Sequence, residues 1–138
     1  MLGDDVLRDQ LRTMLAAGHE TSSTSLAWAL FHIHRDENIR SRVNAELATA
    51  ATPAEIAALP DFGAVIHETL RIHPTVPIVL RRLTAPLTVD GVVCPADAVV
   101  GIALPALHFN PTAWNDPDSF VPERFLDTKP SPFQYAPF

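Results

Sequence analysis

A glycine, a carboxylate and an alcohol lie close together in the sequence at Gly18, Glu20 and Thr21. A carboxylate and a hydroxyl can pass protons to a bound group, and a glycine leaves room for that group to approach the backbone. Thr21 lies on the apolar stripe of the predicted helix or at its edge, so we expect the three residues to face the interior together and to carry proton-transfer chemistry there. The alternative is a long core helix softened at its centre by the hydroxyl residues 21–25, whose side chains bond back to carbonyls one turn earlier.

A second group that could carry chemistry is the Glu-x-x-Arg spacing of Glu68 and Arg71. Residues three apart on a helix lie on the same side, so these two can form a bidentate ion pair. On an exposed surface the pair would contribute at most ~1 kcal/mol. Arg124, from a later proline-rich stretch, could complete a buried network of three charged groups. The spacing by itself leaves both interpretations open.

The histidines and the cysteine do not have the spacing of a metal site. Two His-Glu dipeptides, at residues 19–20 and 67–68, begin like a zinc-protease motif. Ser23 and Arg71 occupy the positions that the second histidine of that motif requires. We therefore expect packing or surface roles for all six histidines, no metal ligands, and a small buried hydrophobic role for Cys94.

Composition restricts the class of protein. The chain has 138 residues, 47% of them hydrophobic and 19% charged, which is typical of one globular domain. A formal net charge of -6 argues against a nucleic-acid surface. We find no apolar run long enough to be a membrane segment and no signal peptide, and a single cysteine agrees with a reducing compartment. These features predict a cytoplasmic location.

Apolar periodicity predicts the elements that position these groups. A long helix is expected over residues 4–35, a second over 36–51, a short one over 53–59 capped by Thr52, and another over 61–73. Extended runs follow at 76–83, 87–89, 92–93 and 99–104, with a turn at 90–91. Residues 105–138, rich in Pro, Asn and Asp, are expected to be ordered coil. The predicted fold class is α+β, mainly α, with a small antiparallel hairpin sheet.

In order and spacing, the motifs together resemble the C-terminal half of a cytochrome P-450, a haem-thiolate monooxygenase. Ala-Gly-His-Glu-Thr at 17–21 resembles the oxygen-activating segment of that family's central helix. Glu-Thr-Leu-Arg at 68–71 and Pro-Glu-Arg-Phe at 122–125 resemble two further motifs, and residues 90–97 and 108–117 fit the segments between them. The resemblance covers essentially residues 1–138, as a partial cytochrome P-450 domain.

The resemblance implies specific roles for several of these residues. Ala17 and Gly18 are expected to line the oxygen-binding groove over a haem (heme), with Thr21 holding dioxygen and Glu20 as its acid partner. A buried network that shapes the iron-ligand region is expected from Glu68, Arg71 and Arg124. Arg81 is expected to contact a haem propionate. The residues expected to face the substrate pocket are Pro77, Ile78 and Val79. The implied reaction inserts one oxygen atom of O2 into a small organic substrate, using an NAD(P)H-dependent redox partner.

One departure from the family pattern bears on activity. In the family the iron-ligating cysteine lies in a glycine-rich loop after a Pro-Phe pair, and this sequence ends at that pair, residues 137–138. Cys94 matches an apolar hairpin position and does not replace the ligand. We therefore expect a fragment that is inactive alone. The alternative is a non-enzymatic remnant that binds a partner through its exposed apolar surface.

Overall fold

The first helix, α1, spans Asp4–Arg35 and has the bounds that the sequence predicts. It belongs to a computed structural model that describes residues 3–137, so Phe138 of the terminal Pro-Phe pair lies outside the described residues. Acidic residues in the first turn and basic residues in the last complement the helix dipole. At ~1.5 Å per residue, α1 is about 48 Å long.

Three shorter helices follow, and side chains cap the starts of two of them. Helix α2 spans Glu37–Leu47, and the carboxylate of Asp36 accepts hydrogen bonds from two amides of its first turn. Helix α3 spans Pro53–Ala57 and begins with the predicted capping box between Thr52 and Glu55. Both helices are shorter than predicted because their last expected residues lie in turns.

Helix α4, Pro60–Ile72, is the most buried element of the chain. Its first turn is capped from a distance, because the two carboxylate oxygens of Glu46 on α2 accept from the amides of Asp61 and Phe62, each at 3.0 Å. These bonds satisfy two amide groups that lack a partner within the helix. The apolar core lies between α1, α2 and α4, and consists of Ile33, Ile39, Val43 and Val65, with Leu47, Phe62 and Phe120 packed against it.

Four strands form two antiparallel pairs. Strand β1, Ile78–Arg82, pairs with β4, Val99–Ala103, while β2, Leu87–Val89, pairs with β3, Val92–Cys94. The β2–β3 turn has positive φ angles at both of its central residues, 48° and 79°, as its Asp-Gly sequence predicts. The antiparallel strands agree with the prediction, but they form two sheets instead of one because β1 pairs with the distant β4.

The segment after the strands is more regular than predicted. Helix α5 spans Leu104–His108 and a 3-10 helix spans Pro122–Phe125, where the sequence indicated coil. In each, a proline stands in the first turn, where its missing N–H costs no hydrogen bond. Within residues 3–137, no helix combines the length and the apolar composition needed to cross a membrane.

Candidate functional site

The predicted Glu-x-x-Arg pair lies at the centre of a buried polar cluster on α4. Both side chains are fully inaccessible to solvent. The Nε and Nη2 groups of Arg71 donate to the two carboxylate oxygens of Glu68, each at 2.7 Å. This is the bidentate geometry in which a guanidinium and a carboxylate match best. The pair is therefore not the exposed surface pair that its spacing alone would also allow.

The remaining donors of Arg71 bind backbone carbonyls at the end of α5 and in the segment that follows it. Nη1 donates to the carbonyls of His108 at 2.9 Å and Pro117 at 2.8 Å, and Nη2 donates to the carbonyl of Ser119 at 3.1 Å. A guanidinium has five N–H donors, and all five are engaged here. The Arg71 side chain therefore ties an irregular segment to α4. The ring of Trp114 lies against the same guanidinium, at 5.2 Å.

Arg124, from the 3-10 helix, is the third member of this network. Its Nε group donates to Glu68 Oε1 at 3.4 Å, and its Nη groups donate to the carbonyls of Asn115 and Asp116. The amide of Val121 donates to the same Glu68 oxygen at 2.9 Å. The structure thus brings Glu68, Arg71 and Arg124 together, and one carboxylate organises residues 115–124.

Sequence reasoning missed a fourth polar member, His108. The side chain is fully buried, and its two ring nitrogens lie 3.0 Å from the carbonyl oxygen of Arg71 and 3.1 Å from the amide nitrogen of Ala136. Burial lowers its pKa, and the positive charge of Arg71 acts in the same direction. Arg71 is 37 positions away, so no local spacing signals this contact.

The predicted proton-transfer residues lie at the middle of α1. Thr21 is half-buried, and its hydroxyl donates to the carbonyl of Ala17 at 2.7 Å. Ser25 repeats the pattern one turn later by donating to the carbonyl of Thr21 at 2.9 Å. A Cβ atom built on Gly18 would meet nothing within 4 Å among the described residues. Small side chains therefore leave this stretch of backbone open.

The expectation that an acid and an alcohol would face the interior together is wrong for the described residues. Glu20 is exposed, as is every residue from 3 to 20. The cause is that α4 and α2 pack only against the second half of α1, where Ala29 and Ile33 are buried. The first half is a bare helix whose apolar residues, Val6, Leu7, Leu11, Met14 and Leu15, are all exposed.

The other predicted contacts lie at the strands, away from the α4 network in the chain. Arg81 is exposed on β1, and its Nη1 group donates to the carbonyl of Leu80. Pro77 and Ile78 are exposed and Val79 is half-buried. Cys94 is a free thiol at the end of β3, half-buried instead of buried as predicted, because the β2–β3 hairpin has little packed over it.

Two histidines meet at a cleft of about 560 Å³ between the ends of α1 and α4. Nε2 of His32 lies 3.0 Å from Nε2 of His73, and the rings stack on Phe120 and Trp28 respectively. The two rings approach end to end, which suits one neutral imidazole donating to another. Burial lowers the pKa of both, that of His32 to about 4.

Within residues 3–137, no three His, Cys, Asp or Glu side chains are grouped in a way that could hold a metal ion. The contact of His32 with His73 joins residues 41 apart. Nothing in the local sequence pattern around either histidine indicates this neighbour.

Comparison with known proteins gives one consistent answer. A family profile described as Cytochrome P450 matches residues 1–138. Putative cytochrome P450 137 of Mycobacterium tuberculosis strain H37Rv is 36% identical over 138 residues, covering 99% of this chain and 27% of that protein. Human cytochrome P450 4F11 is 35% identical over 150 residues, covering 99% and 28%. Salviol synthase of Salvia pomifera is 32% identical over 148 residues, covering 99% and 30%. The chain therefore spans less than a third of the length of these relatives.

Proposed function

The chain belongs to the cytochrome P450 family, and from that premise we propose that it supplies the oxygen-activating helix and the Glu-Arg-Arg network of a haem-dependent monooxygenase. The proposed reaction inserts one atom of O2 into a small organic substrate and releases the other as water. It consumes two protons and two electrons, the latter from NAD(P)H through a redox partner. The observation that best supports the proposal is the buried, fully bonded cluster of Glu68, Arg71 and Arg124.

The open stretch of α1 fits one side of a planar haem. Ala17 has only a methyl group, and a Cβ on Gly18 would find 4 Å of free space around it. A flat group can approach the helix backbone there without displacing any described side chain. When bound, the haem supplies the oxygen binding and the redox chemistry of the reaction.

Two further groups would hold the cofactor and the substrate. One Nη group of Arg81 donates to the carbonyl of Leu80, so the other N–H groups of this side chain can donate to a haem carboxylate. An apolar stretch at the start of the same strand consists of Pro77, Ile78 and Val79. Such a surface suits a small organic substrate.

Thr21 and Glu20 are the proposed proton carriers. The Thr21 hydroxyl uses its hydrogen on the Ala17 carbonyl, so its oxygen lone pairs remain able to accept another hydrogen bond. Glu20 is exposed and can exchange protons with water directly. We propose that a proton passes from the Glu20 carboxyl group to a lone pair of the Thr21 oxygen. In the same step the Thr21 hydroxyl turns its own hydrogen from the Ala17 carbonyl toward the reacting oxygen, so that the hydroxyl is regenerated.

We also propose that these 138 residues alone do not hold haem through a thiolate. The sequence has one cysteine, Cys94, and it lies on the β2–β3 hairpin. The test adds haem to the purified chain and records the reduced carbon-monoxide difference spectrum, with Cys94→Ser as the matched control. We expect the two spectra to be the same and to lack a thiolate-type band. A thiolate-type band that disappears in Cys94→Ser would contradict the proposal.

A chimera tests the monooxygenase role itself. Residues 1–138 would replace the stretch of salviol synthase that they match, and salviol formation would be measured. We expect the chimera to form product, Thr21→Ala to lower the rate by roughly 10²-fold, and Thr21→Ser to restore it, because serine keeps the hydroxyl. Thr24→Ala, an exposed hydroxyl on the same helix, is the control. Equal rates for Thr21→Ala and Thr24→Ala would contradict the proton-carrier role.

The second candidate function is that of a non-enzymatic, partner-binding chain. It is favoured by the exposed apolar residues along the first half of α1, such as Leu11 at 53% and Met14 at 71% exposure. The same chimera distinguishes the two functions. A chimera that folds and binds haem but forms no product would favour this second candidate.

A further inference from the structure

The last described residues of the chain are held by polar contacts to α4 and α5 and by the ring of Tyr135, which packs against the rings of His67, His108, Trp114 and Phe125. Residues 131–137, called here the C-terminal segment, begin with a turn in which the amides of Gln134 and Tyr135 donate to the Ser131 carbonyl. Phe133, its largest apolar residue, is 87% exposed and contributes no packing. The position of the segment therefore depends on Tyr135 and on the backbone of Ala136.

His108 makes the buried contact between this segment and α4. One ring nitrogen, Nδ1, lies 3.0 Å from the carbonyl oxygen of Arg71, and the other, Nε2, lies 3.1 Å from the amide nitrogen of Ala136. In the reverse direction, Arg71 donates to the carbonyl of His108. The imidazole therefore joins the charged network to the C-terminal segment through two backbone groups.

The two backbone partners determine the protonation state of the ring. A carbonyl oxygen can only accept, so Nδ1 must carry a hydrogen. An amide N–H can only donate, so Nε2 must be unprotonated. A protonated imidazolium would place a second N–H against the amide of Ala136 and would lie close to the Arg71 guanidinium. The neutral Nδ1–H tautomer satisfies both contacts.

We propose that His108 is a positioning residue which, as the neutral Nδ1–H tautomer, docks the C-terminal segment onto the Glu68–Arg71 network. Tyr135 adds a second contact, because its hydroxyl donates to the carbonyl of His67 at 3.1 Å, and its ring lies 5.4 Å from that of His108. The inference deepens the proposed function and rests on it in one respect: in that family the iron-binding loop follows a Pro-Phe pair, and Pro137, the first residue of that pair here, ends this segment. The docking contact itself does not require haem.

The first experiment measures the tautomer in the unmodified chain. Long-range 1H–15N correlation spectra at pH 7 distinguish a protonated from an unprotonated ring nitrogen. We expect the His108 ring to show a protonated Nδ1 and an unprotonated Nε2, whereas exposed His34 should show averaged values. An Nε2–H tautomer at His108, an imidazolium, or averaged values like those of His34 would overturn the proposal.

The second experiment removes one contact at a time and follows amide hydrogen exchange. His108→Asn keeps a donor near the position of Nδ1 but cannot reach Ala136, whereas the longer His108→Gln can place an oxygen near the position of Nε2. We expect the Ala136 amide to exchange about tenfold faster in His108→Asn, with less change in His108→Gln and none in the surface variant His34→Asn. The amides of α4 should keep their protection in His108→Asn, because a general loss of structure would expose them too.

An unchanged Ala136 exchange rate in His108→Asn would overturn the proposal. Neither experiment uses haem, so a failure of the haem and chimera tests above would leave this result intact. Conversely, a result that overturns the docking role of His108 would not affect the proton-carrier role of Thr21, which the chimera tests separately.

Discussion

Two Glu-x-x-Arg pairs occur in this chain, on neighbouring helices, and they have opposite environments. On α2, Glu37 and Arg40 form an exposed ion pair, with 76% and 37% of their side chains accessible. On α4, Glu68 and Arg71 form the same pair with both side chains at 0%. The spacing and the residue types are identical. What differs is the backbone that surrounds the second pair, namely the carbonyls of residues 108, 117 and 119.

The comparison shows what makes a buried ion pair tolerable. Two charges removed from water are costly unless further hydrogen bonds complete their coordination. Arg71 obtains those bonds from a segment that begins 37 residues later in the chain, and Arg124 binds two further carbonyls of that segment. The pair and the irregular segment therefore stabilise each other. The α2 pair remains hydrated and needs no such partner.

The first half of α1 resembles the α2 pair, because both are exposed to water. Residues 3–20 are all exposed, and within the described residues this part of the helix is held by its own hydrogen bonds and by ion pairs between its own side chains. Isolated helices of this length are marginal in water. The α4 network is complete among the described residues, whereas the Gly18–Thr21 stretch has its reactive side open. We expect the two regions to respond very differently to substitution.

The largest effect is expected for Glu68→Gln. The variant leaves the Arg71 charge buried without its counter-ion, which typically costs about 3–5 kcal/mol. The matched control is Glu37→Gln on α2, for which a loss of at most ~1 kcal/mol is expected. Denaturant unfolding of both variants measures the difference in unfolding free energy. Equal losses would show that burial does not distinguish the two pairs.

Local pattern was sufficient to predict helices α1 to α4 and the hairpin turn. The bounds of α1, the capping box at Thr52 and the Asp-Gly turn depend on residues within a few positions of one another. Periodicity, capping preference and positive φ are therefore readable from the sequence. The joining of Arg124 to the α4 pair was anticipated from its motif, although the spacing alone left the pair's burial open.

Contacts between distant residues were not predictable in this way. The pairing of β1 with β4, the docking of His108 on Arg71 and the meeting of His32 with His73 each join residues many positions apart. No local preference signals them. Helix α5 was missed because its single turn contains a proline and follows directly on a strand. The exposure of Glu20 was missed because apolar periodicity reports a packing face even where the described residues provide nothing to cover it.

An intermediate effect is expected at the start of α4. Glu46→Ala removes both acceptors of the Asp61 and Phe62 amides and should lower the unfolding free energy by about 0.5–2 kcal/mol, as for loss of a helix cap. Asn44→Ala, at an exposed position of the same helix, is the control. The result bears on the comparison of the α2 and α4 ion pairs, because it tests whether the more exposed helix α2 stabilises the buried helix α4. A loss no larger than that of the control would contradict the capping role.

A smaller, pH-dependent effect is expected from His32 and His73. The pKa of His32 falls from the ordinary 6.5 to about 4 on folding, so between these values the unfolded chain binds more protons. Their contribution is therefore fully present above pH 6.5 and decreases as the pH falls toward about 4. Replacing both with phenylalanine keeps the ring stacking and should flatten this slope in unfolding measurements. An unchanged slope would assign it to other groups, such as His108.

The smallest effect on the isolated chain is expected at Gly18. Gly18→Ala adds a methyl group that meets nothing within 4 Å of the described residues, so it should raise the unfolding free energy of the chain by roughly 0.5–1 kcal/mol through helix propensity. Gly63→Ala on α4 has equal free space and serves as the calibrating variant.

In the salviol synthase chimera the two glycine variants should diverge. If a haem lies against the Gly18 backbone there, the added methyl occupies the space that the cofactor needs, and Gly18→Ala should weaken haem binding or slow turnover. Gly63→Ala should leave both unchanged, because Gly63 lies on α4, outside the proposed cofactor surface. Gly18→Ala that stabilises the isolated chain and is also harmless in the chimera would show that this stretch of α1 does not face the cofactor.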